Sequence, residues 1–352
     1  MKLLPFLQVF VFPYVANATL AYVAARVVHQ LGVEVREAHE LGSYRLEVLL
    51  GRGGMGEVWR ASHRMLVRPA AVKLIRRDAL ATDPALAAVA VERFQREAQV
   101  TASLQSPHTV ALYDFGETDD GALFYVMELL DGVTLETIVR QFGPLPPERV
   151  VHVLRQVCAS LAEAHHLGLV HRDIKPANIY LCRRAMEHDV AKVLDFGIVK
   201  RVMTADAQAV SVLTRSDAVT GTPAFMPPEI AMASTVDGRA DLYALGCVAY
   251  WLLTGRMVFE ETTPLAVILA HVQKTPLPPS AVSELPIPEA LDRLVLDCLA
   301  KDPAARPENA QALSARLAAV PLARPWSEVD AARWWESHQP SAPSESAYAN
   351  QT

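Results

Sequence analysis

The chain has 352 residues, 51% of them hydrophobic, and a formal net charge of −6. That length suits one large or two moderate domains, on a prior of roughly 100–200 residues each, and the composition can fill a sizeable core. The acidic balance excludes nucleic acid as a default partner, which would call for a basic stripe.

From Leu3 to Val28 there is no acidic residue, and Arg26 is the single charge. An apolar run of about 20 residues is the length that spans a bilayer, and a membrane helix tolerates a kink such as Pro13 would introduce. Arg26, Arg36, Arg45, Arg52 and Arg60 lie on the C-terminal side. Positive-inside reasoning therefore places the rest of the chain in the cytoplasm. The competing readings are an amphipathic helix packed on a soluble domain, or a leftover piece of a longer membrane region. Residues 1–28 form this segment, and residues 29–43 are charged and read as a linker.

Residues 44–130 alternate as strands. Tyr44 to Gly51 and Glu57 to His63 flank a glycine cluster, and Arg68 to Ile75 follows, with Pro69 tolerated at a strand start. Pro84 to Leu104 has helical spacing. Val110 to Phe115 and Leu123 to Glu128 are strands joined by the turn Asp119-Asp120-Gly121. The expectation is a five-stranded, one-helix lobe. Residues 131–319 turn helical. Glu148 to Leu167 stops at Gly168, and Asp241 to Thr254 is almost wholly apolar and should be a buried central helix. Pro264 to Lys274, Pro288 to Ala300 and Asn309 to Val320 complete this lobe. Residues 320–339 carry Trp326, Trp334 and Trp335, for which packing is favoured over docking a partner, because exposed tryptophans form sticky patches. Residues 340–352 hold too little apolar material to fold.

The glycine cluster, Gly51-Arg52-Gly53-Gly54-Met55-Gly56-Glu57-Val58, fits G-x-G-x-x-G-x-V. The same spacing marks dinucleotide-binding folds, but those need a helix directly after the third glycine. Here Glu57 to Ala61 is strand-like, so the glycines form a hairpin whose backbone amides can lie over nucleotide phosphates. The strongest signal is His171-Arg172-Asp173-Ile174-Lys175-Pro176-Ala177-Asn178, followed by Asp195-Phe196-Gly197. Asp173 can accept a proton from an attacking hydroxyl, and Lys175 can neutralise a moving phosphoryl group. Asn178 and Asp195 can hold magnesium against nucleotide phosphates. His165, His166 and His171 read as structural, since imidazole suits magnesium poorly.

In these motifs, in this order, the chain resembles the protein kinase family over residues 44–319, and Lys175 points to the serine/threonine branch. Gly53-Gly54-Met55-Gly56 and Gly221-Thr222-Pro223 are similar to bacterial kinases of the receptor type. The resemblance implies an α+β, bilobal fold with ATP in the cleft and Mg2+ as cofactor, acting on serine or threonine hydroxyls of protein substrates. It implies that Lys73 contacts the α and β phosphates and pairs with a helix glutamate, best Glu97, with Glu92 less favoured. Leu50 through Met55, Gly56, Val58 and Ala71 would enclose the nucleotide, with Met127 limiting the rear pocket. The Glu128 carbonyl and Leu130 amide would meet the adenine. Arg172 before Asp173 suggests control by phosphorylation in the segment from Asp195 to Glu229, at Thr214 or Ser216, with two copies associating for autophosphorylation. The family's Ala-Pro-Glu stands here as Pro227-Pro228-Glu229. Glu229 is expected to pair with Arg306, and Asp241 to anchor the backbone of the catalytic loop. A catalytically silent ATP-binding scaffold is the rival reading; such chains usually lack the equivalents of Lys73, Asp173 or Asp195, all present here. The four cysteines, Cys158, Cys182, Cys247 and Cys298, lie far apart without Cys-x-x-Cys spacing and read as buried thiols.

Overall fold

A computed structural model describes residues 40–53, 56–66, 68–75, 84–118, 121–196 and 223–338. The apolar run 3–28 and the phosphorylation candidates Thr214 and Ser216 lie outside the described residues. Among the described residues, no helix is long and apolar enough to cross a membrane.

The first lobe is built on an antiparallel sheet of six strands in the order β1-β2-β3-β4-β6-β5. These are β1 (Glu40–Leu41), β2 (Tyr44–Gly53), β3 (Gly56–His63), β4 (Pro69–Ile75), β5 (Leu112–Glu117) and β6 (Leu123–Glu128). The sixth strand corrects the five-strand expectation. Gly42, at φ 56°, turns the chain so that Leu41 pairs with Tyr44, and part of the expected linker joins the sheet. Leu41, Tyr44 and Leu46 then bury against Ala61, Ala70 and Val126, which accounts for an edge strand so short. On the other face α1 (Pro84–Ala102) lays Phe94 against Ile75, Tyr125 and Met127.

The second lobe opens with β7 (Gly132–Thr134), α2 (Leu135–Phe142) and α3 (Pro147–His166), then the hairpin β8 (Ile179–Arg184) and β9 (Glu187–Val193). The Thr134 side chain accepts from the Thr137 amide and caps α2. Strands β7 to β9 form a small sheet that hydrophobic spacing did not announce. Helices α4 (Pro228–Ala231), α5 (Arg239–Thr254), α6 (Pro264–Gln273), α7 (Glu289–Cys298), α8 (Ala310–Ala318) and α9 (Glu328–His338) follow. As expected, α5 is the central helix: every residue from Ala240 to Thr254 is buried. It ends at Gly255, whose φ of 69° suits a left-handed cap. All four cysteines are free and buried. Burial pushes the Cys182 and Cys298 thiols up to about 12, so they are inert as nucleophiles.

The tryptophan-rich extension closes the back of this lobe. Arg149 on α3 and Asp189 on β9 are both fully buried and joined by two hydrogen bonds of 2.7 Å. The Trp326 and Trp335 indoles donate to the same carboxylate at 3.0 and 2.8 Å. The Arg149 guanidinium lies 3.8 Å from the centroid of the Trp334 ring. Every oxygen of a buried ion pair is thus given donors, the condition under which such a pair is tolerated at all.

Candidate active site in the interlobe cleft

Strand register assembles the upper wall. In the β4–β6 ladder Ala71 pairs with Met127 and Lys73 with Tyr125, so these four alternate residues share one face. Ala71 and Met127 are buried, and Val58, paired with Lys73 across β3–β4, is half-buried. Lys73 Nζ lies 2.7 Å from Asp195 Oδ2, and the Tyr125 hydroxyl donates to Asp195 Oδ1. Burial opposes ionisation of Asp195, but Lys73 and the Tyr125 hydroxyl outweigh it and hold the carboxyl below its ordinary value. Burial, helped by the Asp195 charge, pushes the Tyr125 phenol well above its own.

Glu97, the partner implied for Lys73, is buried on α1, and Lys73 is joined to Asp195. Asp195 has φ 54°, a left-handed conformation that lifts its carboxylate against β4 and β6, where two donors stand side by side.

Leu50, Gly51, Arg52 and Gly53 lie at the end of β2, with Gly53 opposite Gly56, whereas Gly54 and Met55 fall outside the described residues. Leu50 is exposed, and Arg52 makes a surface ion pair with Glu57 at 2.8 Å. Gly56 has a reason of its own to be glycine. A Cβ there would lie 1.8 Å from the Leu74 carbonyl oxygen, so β3 could not approach β4 with any side chain at this position.

At the connection between lobes, Glu128 does more than lend backbone. Its Oε1 lies 2.5 Å from Lys192 Nζ and accepts from the Ala111 amide at 2.9 Å. Lys192 also donates to the Thr109 carbonyl at 3.1 Å. Because both ends of the Glu128–Lys192 pair are largely buried, the lobes are tied by a charge pair solvent screens little. Leu130 follows, half-buried.

The lower wall hangs from the central helix. Asp241 accepts from the amides of His171 and Arg172, both at 2.8 Å, and from His165 Nε2 at 2.8 Å. This is the anchoring role expected of it. His171 packs on Phe196, with ring centroids 4.7 Å apart, and its Nε2 meets the Leu194 carbonyl at 2.7 Å. Asp173 Oδ2 is met by Lys175 Nζ at 3.2 Å and Asn178 Nδ2 at 3.1 Å. Asn178 Nδ2 also donates to the Asp173 carbonyl at 2.8 Å.

These residues fit a divalent cation. Asn178 commits its amide nitrogen to Asp173, which leaves its oxygen as the ligand atom, and Asp195 adds a carboxylate. Among the described residues no group of three or more His, Cys, Asp or Glu could hold a metal. One carboxylate plus one amide suits a hard cation that completes its shell with water and phosphate oxygens.

Below the cleft Arg306 donates to both Glu229 oxygens, at 2.7 and 2.8 Å. It also donates to the carbonyls of Ala300, Arg239 and Lys301. Pro227 sits just before α4 at φ −66°, an ordinary value for proline, so the departure from Ala-Pro-Glu leaves the pair intact.

Sequence reasoning missed Tyr125, Lys192, Arg149 and Asp189. For Tyr125 a signal existed: it stands two residues before Met127 in a strand and therefore on the same face. For the others the partners lie 40 to 64 residues apart, and no local pattern joins them.

The family model described as "Protein kinase domain" matches residues 44–317. Serine/threonine-protein kinase pkn3 of Myxococcus xanthus is 41% identical over 278 residues, covering 79% of this chain and 50% of its own length. Serine/threonine-protein kinase PknB of Mycolicibacterium smegmatis is 42% identical over 285 residues, covering 80% and 43%. The chain thus spans about half the length of the curated relatives it matches. Among solved structures, the Mycobacterium tuberculosis PknI kinase domain superposes with a TM-score of 0.59 at 28% identity, covering 79% of this chain and 96% of that one. Rad53 in complex with AMP-PNP reaches 0.63 at 22% identity, a likeness of fold alone, over 77% and 64%.

Proposed function

Because the chain belongs to the protein kinase family, we propose that it transfers the γ-phosphoryl group of ATP, with Mg2+, to serine or threonine hydroxyls of protein substrates. What supports this reading is the Lys73–Asp195 pair next to a loop in which Asn178 and Lys175 both contact Asp173, the Leu194 amide before Asp195 donating to the Asn178 carbonyl. Asp173 takes the proton of the attacking hydroxyl. Its orientation is fixed by Asn178, so the base and one cation ligand move as a unit. Lys175, 3.2 Å from Asp173, supplies positive charge where the phosphoryl group passes. Lys73 turns from Asp195 to the nucleotide phosphates when ATP enters. Bound Mg2+ would be held by Asp195 and Asn178 and would neutralise charge on the phosphates; positioning and charge stabilisation are most of what phosphoryl transfer asks of a protein.

The reading extends to regulation and placement. Thr214 or Ser216 takes phosphate from a second copy of the chain, and the apolar run 3–28 anchors the protein at the cytoplasmic membrane. Extraction of membranes with carbonate tests the anchor: release of the chain would remove it.

Intact-mass spectrometry of the dephosphorylated chain after incubation with Mg-ATP, beside Asp173→Asn, tests the chemistry. Phosphate gained by the parent and not by the variant is the expected result. A folded parent that binds ATP and gains no mass, or a variant that gains as much, would overturn it in favour of a silent scaffold.

A further inference from the structure

Asp195 is gripped at both oxygens. Lys73 takes Oδ2 at 2.7 Å, and the Tyr125 hydroxyl takes Oδ1. The two donors come from directly opposed positions of β4 and β6, and Lys73 Nζ lies 5.7 Å from the centroid of the Tyr125 ring. Only one of these donors has other work in the reaction, for Lys73 leaves when the phosphates arrive. The phenol has no such task, and its backbone is fixed in the middle of a sheet with Ala71, Met127 and Phe94 packed around it.

We propose that Tyr125 is a positioning residue for the divalent cation: its hydroxyl holds Oδ1 of Asp195, fixing the plane of the carboxylate when Lys73 lets go of Oδ2. Asp195 needs such a hold because its backbone is in the left-handed region at φ 54°, where a non-glycine residue stays only if its surroundings keep it there. A group that orients a metal ligand in this way typically accounts for about 10–100-fold in metal affinity. The proposal rests on Asp195 being a cation ligand.

The test is Mn2+ binding to the chain saturated with ADP, followed by electron paramagnetic resonance of the free ion, for the parent, Tyr125→Phe, Tyr113→Phe and Asp195→Asn. Tyr113 is the control phenol. Its ring lies under Arg68, 4.4 Å from the guanidinium, on the neighbouring strand. The expected result is a Kd for Mn2+ raised about 10–100-fold in Tyr125→Phe and unchanged in Tyr113→Phe, with metal-free ADP binding equal in both. Unchanged or tighter Mn2+ binding by folded Tyr125→Phe would overturn the proposal. If Asp195→Asn also binds Mn2+ as the parent does, the assignment of Asp195 fails first. If Asp195→Asn loses the ion and Tyr125→Phe does not, the role of Tyr125 alone fails.

Discussion

Asp189→Leu should cost this chain more than Asp189→Leu combined with Arg149→Met. In the single variant the Arg149 guanidinium stays buried beneath Trp334 with its carboxylate gone, and breaking a buried pair from one side typically costs about 3–5 kcal/mol. The buried Trp335 indole also loses its acceptor, at about 1–3 kcal/mol for a buried donor left unmade, and the half-buried Trp326 indole loses its own at a smaller cost. Against a total stability of about 5–15 kcal/mol, the single variant sits near its unfolding threshold. The double variant still leaves both indoles unsatisfied and gives up the stacking on Trp334, worth about 0.5–2 kcal/mol, but it contains no unpaired charge. The coupling between the two positions should therefore be about 3 kcal/mol or more, well beyond the roughly 0.3–0.5 kcal/mol scatter of independent sites. Urea titrations of the full chain followed by circular dichroism at 222 nm, for the parent, both single variants and the double, give the cycle. Costs that simply add would refute the argument, since they would mean that water reaches Arg149 and compensates it.

Glu229→Ala should destabilise by a similar 3–5 kcal/mol, because Arg306 is left with three carbonyls and no counter-charge; a shift in the urea midpoint at constant slope reads it. Acid should weaken the protein through His271, which burial and nearby Lys301 lower to about 4. Unfolded imidazole takes a proton near 6.5 and the folded one does not, so its stabilisation is present at neutral pH and is lost as pH falls. Between pH 7 and pH 5 the loss is about 2 kcal/mol. Comparing urea midpoints at the two values, with His271→Gln showing a correspondingly smaller drop, checks it; equal slopes for both proteins would rule His271 out as the cause.

Sequence made the candidate site legible because the proposed phosphoryl transfer needs its groups on short loops at fixed spacing. Asp173, Lys175 and Asn178 are within six residues, and Asp195 follows at the end of the next hairpin. Long apolar elements such as α5 were equally plain. What escaped detection was pairing at a distance. Nothing near Asp189 announces Arg149 or the indoles, and β7, with three residues, is too short for periodicity to register. The relation of Lys73 to Asp195 was hidden for another reason. It depends on how the side chains of a conformation divide one set of donors, which residue types alone do not decide.

Strand β9 is fastened along its whole length. At one end Asp189 is clasped by Arg149 and two indoles; at the other, Val193 exchanges hydrogen bonds with His108 and Val110, and two residues later comes Asp195. Deleting a single residue between them would move Asp195 by about 3.3 Å and turn every later side chain to the opposite face. The chain can therefore vary in length at the exposed hairpin tip around Ala185 and Met186. Between Asp189 and Asp195 the number of residues is fixed, so that stretch works as a ruler, measuring the distance from the rear clasp to the Asp195 carboxylate.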